Sequence, residues 1–233
     1  MKVRIQFSKH GVMKFIGHLD IMRYFQKAIR RAQIDIAYSG GYSPHQIMSF
    51  AAPLGVGLES DGEYMDIEVN SHEGAQKMLD DLNAVMADGM HILSVRALPD
   101  GAKNAMASVA AAGYMIRFRP GYEPDFSYQD ALMSFLEKEE IPFQKTTKKG
   151  TLIIDLKPAI YELKILQDGI YMLVDASSAG NIKPGMVMEA FYQENGCELK
   201  KHALAITRTD TYMDAGENGE RCLLPLRDAG CDF

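Results

Sequence analysis

Cysteine is scarce in this chain, and its scarcity excludes several kinds of site. Only three cysteines occur in 233 residues, all of them late in the chain and none in a CxxC spacing. An odd, unclustered set of thiols argues against a disulfide framework, a zinc knuckle and an iron–sulfur cluster held by this chain alone. We therefore expect no cofactor bound through cysteine and a protein of the cytoplasm.

Long apolar runs are also lacking. Although 47% of the residues are hydrophobic, the chain has no uninterrupted apolar stretch approaching the roughly 18 residues that a membrane span needs. The first four residues lead into an alternating pattern instead of the apolar region of a signal peptide. The sequence therefore predicts neither a membrane span nor a signal peptide, and its length suits one large domain or two small ones.

Acidic residues are almost absent from the first 33 positions, which hold eight basic residues and one aspartate. The net charge of this stretch is +7, so the rest of the chain carries −13 against a total of −6. A positive end on an acidic body favours a local site for an anion, such as RNA or a phosphorylated ligand. The alternative is a solvated helix face that only balances the acidic body, and the sequence leaves both open.

Apolar periodicity predicts the fold class. Residues 2–7 alternate as a strand with one face in solvent, and residues 19–32 repeat at helical spacing. The order β-α-β-(β)-β-α-β runs to residue 98, and a similar order follows from residue 112. We predict an α+β fold of tandem ferredoxin-like (β-α-β-β-α-β) halves, each with helices on one face of an antiparallel sheet. The predicted divisions are 1–98, 112–213 and a loosely ordered tail, 214–233.

The same patterns place the remaining elements. Strands are predicted at 34–38, 46–51, 63–69, 91–98, 114–119, 151–156, 159–166, 170–175 and 204–211, and helices at 73–86, 105–111, 128–139 and 184–194.

Two polar clusters bracket the basic helix and form the candidate site. The first cluster is Lys9, His10, Lys14, His18 and Asp20, and the second is the loop 39–45. His18 lies at the start of the helix, where the helix dipole disfavours a charged imidazolium. The Gly40-Gly41 pair permits positive φ and close approach of a ligand to backbone N–H groups. The alternatives are a structural cap made by His18 and Asp20 and a tight turn at the glycines.

These residue types suggest chemical roles. His18, Asp20 and His45 are the candidate catalytic residues, with the two histidines as a general acid–base pair if they converge. The same side chains could bind a metal, but histidines without tight spacing do not define a metal site, and none is predicted. In the second half, Asn181 could cap a helix. The predicted ligand-binding residues are Lys9, Arg23, Lys27, Arg30, Arg31, Ser39, Gly41, Tyr42, Asn181, Lys183 and Arg208.

Several segments resemble one known family along nearly the whole chain. The specific N-terminal segments are residues 7–9, 15–20, 30–32 and 37–45, and the resemblance continues at 53–54, 63–67, 155–158, 181–184 and 208–212. They are similar to the radical-SAM-associated family of uncharacterised bacterial proteins, which occur alone or joined to a radical-SAM module. The resemblance implies a radical-SAM protein as the partner. Because a 4Fe–4S cluster of that kind needs three neighbouring cysteine thiolates, the cluster and SAM would belong to that partner.

Three hypotheses about function follow. In the first, the chain is a substrate-binding or adaptor protein for a radical-SAM enzyme, in RNA modification or processing. In the second, it is an independent acid–base enzyme, similar to a ribonuclease, that uses His18 and His45. In the third, the basic stripe docks an acidic protein partner.

Overall fold

The structure, a computed structural model, describes residues 1–147 and 150–233 and divides into two compact units. The first unit contains Met1–Ala110 and Arg208–Phe233, and the second contains Ala111–Thr207. Both units combine a few helices with mostly antiparallel strands, so the predicted α+β class is confirmed.

The first unit is built around its first strand, which has an antiparallel neighbour on each side. Its elements up to residue 110 are β1 (Lys2–Lys9), α1 (His18–Arg31), β2 (Met48–Phe50), β3 (Glu59–Glu68), α2 (Ala75–Asn83), β4 (Met90–Ala97) and α3 (Ala105–Ser108). Val3 of β1 lies opposite both Ile67 of β3 and Ala97 of β4, and Ser49 of β2 lies opposite Asp66 of β3. The strands therefore follow the order β4-β1-β3-β2 in space.

One face of this sheet packs against α1. Ile21, Phe25, Ala28 and Ile29 are spaced three, four or one residues apart, so they form one buried stripe along the helix. The ring of Phe25 is fully buried and lies 4.6 Å from the ring of Phe7 on β1. Burial of one such side chain stabilises the fold by about 1.5–3 kcal/mol. The stripe therefore fixes which face of α1 is left for solvent.

The opposite face of β1 is also covered, and the prediction of a half-exposed strand is wrong. Arg4 and Gln6 are only 1% and 4% exposed. The Arg4 guanidinium donates to the Asp66 carboxylate at 2.8 and 3.0 Å and to the Leu226 carbonyl at 3.1 Å. The covering residues come from distant parts of the sequence, which the alternation within one strand cannot reveal.

The C-terminal residues provide much of this cover, so the expectation of a loosely ordered tail is wrong as well. β10 (Leu204–Asp214) enters the first unit at Arg208 and neighbours β3, and β11 (Leu223–Pro225) pairs with it. A 3₁₀ turn, Leu226–Ala229, follows, and Leu226 is fully buried. Cys231 then exchanges backbone hydrogen bonds with Ala97 of β4 at 2.9 and 3.0 Å.

The second unit has a similar succession of elements with one added hairpin. Its elements are β5 (Ala111–Phe118), α4 (Tyr128–Leu136), β6 (Pro142–Thr147), β7 (Gly150–Asp155), β8 (Ile160–Leu166), β9 (Gly169–Asp175), α5 (Pro184–Glu194) and the start of β10. The strand order is β10-β5-β9-β8, whereas β6 and β7 pair only with each other among the described residues. The strands predicted at 159–166 and 170–175 are present as β8 and β9, which pair as an antiparallel hairpin.

Some predicted elements are shorter than expected. The strand predicted at 34–38 is reduced to isolated bridges, Ile36 with Val69 and Tyr38 with Gln46. The helix predicted at 105–111 contains only four residues, because the next strand already begins at Ala111. Within the described residues, no helix is long and apolar enough to span a membrane.

Candidate functional site

The last residue of β1 is a lysine that lies inside the first unit. Lys9 is 3% exposed and borders a small cavity with His18, Glu63 and Tyr64. The rest of the lining is mostly apolar and consists of Phe7, Ile16, Ile21, Phe50, Ala52, Pro53 and Leu54. About 20 Å³ of the cavity is open to the centre of a water molecule, which is room for one or two small atoms.

Burial sets the electrostatics of this cavity. Glu63 accepts a hydrogen bond from Arg208 Nη1 at 2.8 Å, and the same nitrogen donates to the Ala52 carbonyl at 2.8 Å. Lys9 has no such bond from its ammonium group to any described residue. Desolvation lowers the pKa of Lys9 from its ordinary value, and Glu63 only partly opposes this effect. Arg208 therefore lies beside the cavity as the partner of one lining residue.

His18 is the first residue of α1, and Gly17 is the N-cap. Among the described residues no side chain caps this helix end, and Asp20 pairs with Arg23 at 3.4 Å on the exposed surface. The alternative interpretation, a structural cap made by His18 and Asp20, is therefore not supported. The His18 ring meets the Phe50 ring edge-on at 5.4 Å, which holds it against the cavity wall.

The loop 39–45 projects from the first unit. The Ser39 hydroxyl lies 2.8 Å from His45 Nδ1 and accepts from the His45 backbone N–H at 3.1 Å. Gly41 has φ +96, a conformation that side chains rarely adopt, so the predicted need for glycine is met here. The side chain of Tyr42, at the tip of the loop, is fully exposed.

The structure does not bring the two candidate histidines together. His18 lines the cavity at the start of α1, whereas His45 lies on the exposed loop and bonds to Ser39. No hydrogen bond or ring contact joins them in the part of the chain that the structure describes. The geometry therefore gives no acid–base pair.

The four basic residues predicted on α1 share one exposed face. Arg23, Lys27, Arg30 and Arg31 are all exposed, while the opposite stripe of the helix is buried. Arg31 donates to the Val85 carbonyl at 3.2 Å, which steadies the end of the helix. We call this surface the basic face.

An apolar surface lies next to the start of α1. Val12, Phe15, Leu19 and Val56 are 60–73% exposed. The loop that carries Val56 is held close, because Gly57 N–H donates to the Lys14 carbonyl at 2.8 Å. We call these four residues the apolar patch, and exposed apolar clusters of this kind are typical of protein-binding surfaces.

Two predicted ligand-binding residues belong to the second unit. Asn181 has φ +48 and is exposed, and Lys183 is the N-cap of α5 without a side-chain cap bond. The prediction that Asn181 caps this helix is wrong, because the helix begins at Pro184 and its N-cap is Lys183. Pro184 occupies the first helical position. Because proline has no backbone N–H, this position leaves no donor that would need a partner.

Sequence reasoning missed a buried polar network around Tyr64. The Tyr64 hydroxyl donates to Asp210 at 2.6 Å, and Arg227 Nη1 lies 3.3 Å from the same carboxylate. Burial raises the pKa of Asp210 and of Tyr64. In the sequence, this network is visible only as polar residues at alternate positions of two otherwise apolar strands. The same pattern is typical of strands with one face in solvent.

Metal ligands are not grouped within the described residues, where no set of three or more His, Cys, Asp or Glu side chains could hold an ion. His10 has two carboxylate neighbours, with Nε2 2.7 Å from Asp61 and Nδ1 3.5 Å from Glu59. These are polar contacts at the surface of the first unit.

Two solved structures match this chain at low sequence identity. A chain of a Cbf5-Nop10-Gar1 complex matches with a TM-score of 0.50 and 10% identity, over 90% of this chain and 48% of its own length. A chain of an H/ACA RNP bound to a substrate RNA containing 2'-deoxyuridine matches with a TM-score of 0.44 and 8% identity, over 90% and 47%. The chain thus spans about half the length of the chains it matches.

Comparison by sequence gives a family. No curated protein matches the chain. Residues 2–184 match the family described as "Uncharacterized protein conserved in bacteria (DUF2344)". Since the match covers well over half of the sequence, the chain belongs to the DUF2344 family.

Proposed function

We propose that the first unit is a binding module that holds single-stranded RNA on α1 and the loop 39–45 and acts as an adaptor for a radical-SAM enzyme. The observation that carries the RNA part is a fully exposed aromatic side chain, Tyr42, on a loop whose end bonds to the helix that carries the exposed basic face. Cationic tracks with exposed aromatic rings are the usual way to bind single strands, because phosphates meet the cations and bases stack on the rings.

Local contacts support this juxtaposition. The Gln46 side chain donates to the Gln26 carbonyl in the middle of α1 at 3.4 Å, which places the end of the loop beside the helix. Residues three and four positions from Gln26 lie on neighbouring turns of the helix, and they include Arg23 and Arg30. Tyr38, at the other end of the loop, is 50% exposed.

The adaptor part of the proposal comes from the resemblance to the radical-SAM-associated family, which implies a radical-SAM protein as the partner. The apolar patch gives that partner a surface, since four exposed apolar side chains surround one helix start. SAM and the 4Fe–4S cluster would be bound by the partner, and this chain would present the RNA in the cytoplasm.

We also propose that the two units are ferredoxin-like halves. The orders β4-β1-β3-β2 and β10-β5-β9-β8 support this interpretation, because both place the first strand of a half between its third and fourth. The β6–β7 hairpin would then be an insertion in the second half. The divisions 1–98 and 112–213 stay predictions about which segments fold independently.

The RNA hypothesis is tested by fluorescence anisotropy with a labelled single-stranded RNA and the whole chain at several salt concentrations. We expect affinity to fall as salt rises, with a logarithmic slope of about −0.7 for each phosphate contact. Lys27→Gln/Arg30→Gln should weaken binding and reduce this slope by about 1.4, as two lost contacts require.

The matched control is Lys200→Gln/Lys201→Gln, which removes the same charge from two exposed lysines of the second unit. It should leave the slope unchanged. Salt-independent binding, or equal losses in both double variants, would show that the basic face is not an RNA track.

The acid–base enzyme remains an alternative with less support, because it requires His18 and His45 in one cleft. The same RNA samples decide it. Intact RNA after prolonged incubation supports a binding module, whereas cleavage that His18→Gln and His45→Gln each abolish would favour the enzyme.

A further inference from the structure

The cavity at the start of α1 has an unusual cation. Lys9 ends a strand that is buried from Val3 onward, and it lines the cavity with 3% of the residue exposed. The nearby carboxylate of Glu63 is already hydrogen-bonded to Arg208 at 2.8 Å. Buried ammonium groups are costly unless an anion or several acceptors face them. Here Glu63 offsets only part of that cost, and none of the described residues accepts a hydrogen bond from this ammonium group.

A second cationic feature borders the same cavity. Ile16, His18 and Ile21 line it, so the first turn of α1 forms part of its wall. The N-cap of this 14-residue helix is Gly17, and among the described residues no side chain caps it, while the N–H groups of Asp20 and Ile21 donate to the Gly17 carbonyl. Such a helix end carries a partial positive charge and donors that suit an anion.

The size and lining of the cavity narrow the class of anion. Apart from Lys9, His18, Glu63 and Tyr64, the lining residues are apolar. About 20 Å³ is open to the centre of a water molecule, which accommodates one or two oxygen atoms. A flat, two-oxygen group on an apolar stem fits this space better than the three terminal oxygens of a phosphate.

We propose that this cavity is a binding site for the carboxylate group of a small organic acid, held by the Lys9 ammonium and the uncapped N-terminus of α1. His18 forms the wall beside the bound group, and the aromatic ring of Phe50 fixes the orientation of the His18 ring. The site is separate from the basic face and does not depend on RNA binding.

The test is NMR of the whole chain with labelled histidine, in which the His18 ring signals are identified by their loss in His18→Gln. Acetate and inorganic phosphate are titrated separately at constant ionic strength. We expect saturable shifts of the His18 signals with acetate and none with phosphate.

Two variants probe the two cationic features. Lys9→Met should weaken acetate binding by about tenfold or more, since it removes a charge-assisted hydrogen bond. Its control, Lys2→Met, removes an exposed lysine of the same strand and should bind as the wild type does. Gly17→Asp places a carboxylate of the protein itself at the helix end and should also abolish binding.

Gly17→Ala is the control for Gly17→Asp. The backbone at Gly17 has φ −74 and nothing lies within 4 Å of an added Cβ, so both variants should fold. Binding of phosphate in place of acetate, no shift with either anion, or full acetate binding by Lys9→Met would each overturn the proposal.

Discussion

Lys9 shows how one residue can serve as a candidate site and also lower stability. Burial lowers its pKa below the ordinary value of 10.5, so the folded state binds this proton less tightly than the unfolded state does. The stabilising contribution of such a group is present above pH 10.5 and is lost as the pH falls through the lowered pKa of the folded state. At neutral pH the wild type therefore carries a destabilising term that a neutral side chain would lack.

Lys9→Met should consequently be more stable than the wild type at neutral pH, and the difference should shrink as the pH rises toward 10.5. Glu63 keeps its bond to Arg208 in this variant. Urea unfolding of both proteins between pH 6 and about 10.5 measures the difference, and Lys2→Met controls for loss of an exposed lysine. A stability difference that is the same at every pH would contradict a lowered pKa at this position.

The residue scale also shows where sequence reasoning is limited. The motifs around Lys9 and Arg208 mark both residues as functional candidates. Both residues are buried in the structure, and the alternation of polar and apolar residues did not predict that burial. Arg4 and Asp66 form a buried pair at 2.8 Å from positions 62 residues apart. Periodicity reports the two faces of a strand, whereas burial of the polar face depends on segments that return much later in the chain.

At the scale of elements, the loop 39–45 has an internal matched pair of glycines. Gly40 and Gly41 are both exposed with nothing within 4 Å of an added Cβ, but only Gly41 has a positive φ, +96. Gly41→Ala should destabilise the loop by roughly 1 kcal/mol and lower RNA affinity several-fold, because the loop that presents Tyr42 must change its backbone. Gly40→Ala should change neither property.

Urea unfolding and RNA anisotropy of the two glycine variants provide the measurement. Equal behaviour of Gly40→Ala and Gly41→Ala would mean that the conformation at Gly41 does not present Tyr42 to a ligand.

Elements with a strong apolar period were predicted well, and those without one were not. α1 was expected at 19–32 and spans His18–Arg31, because its buried stripe repeats at helical spacing. The strand β6 was missed because Pro142 and a run of polar residues hide any alternation. The candidate site was predicted as two clusters around α1, and their separation into a cavity and an exposed loop depends on packing that spacing does not encode.

At the scale of the whole molecule, the order of elements carried the most information. Two successive runs of strands and helices predicted the α+β class. Each run corresponds to one strand order in space, β4-β1-β3-β2 for the first unit and β10-β5-β9-β8 for the second. The sequence did not predict that the last residues return to the first unit. A glycine-rich segment after Asp214 resembles a flexible end, and its few apolar residues show no period that would indicate burial.

This return suggests that the C-terminal segment closes the first unit, and two leucines test it. Leu226 is fully buried beside Tyr64 and Ala105, whereas Leu224, two residues earlier, is 36% exposed. Leu226→Ala should destabilise the first unit by about 2–5 kcal/mol, because it leaves a cavity in a packed core. Leu224→Ala should cost about 1 kcal/mol or less.

Limited proteolysis with mass spectrometry locates the effect within the whole chain. If the two units unfold separately, Leu226→Ala increases cleavage in Met1–Ala110 and Arg208–Phe233 while Ala111–Thr207 stays protected. Increased cleavage in both units would mean that they unfold as one. Unchanged cleavage in Leu226→Ala would show that the C-terminal segment is an accessory to a first unit that is stable without it.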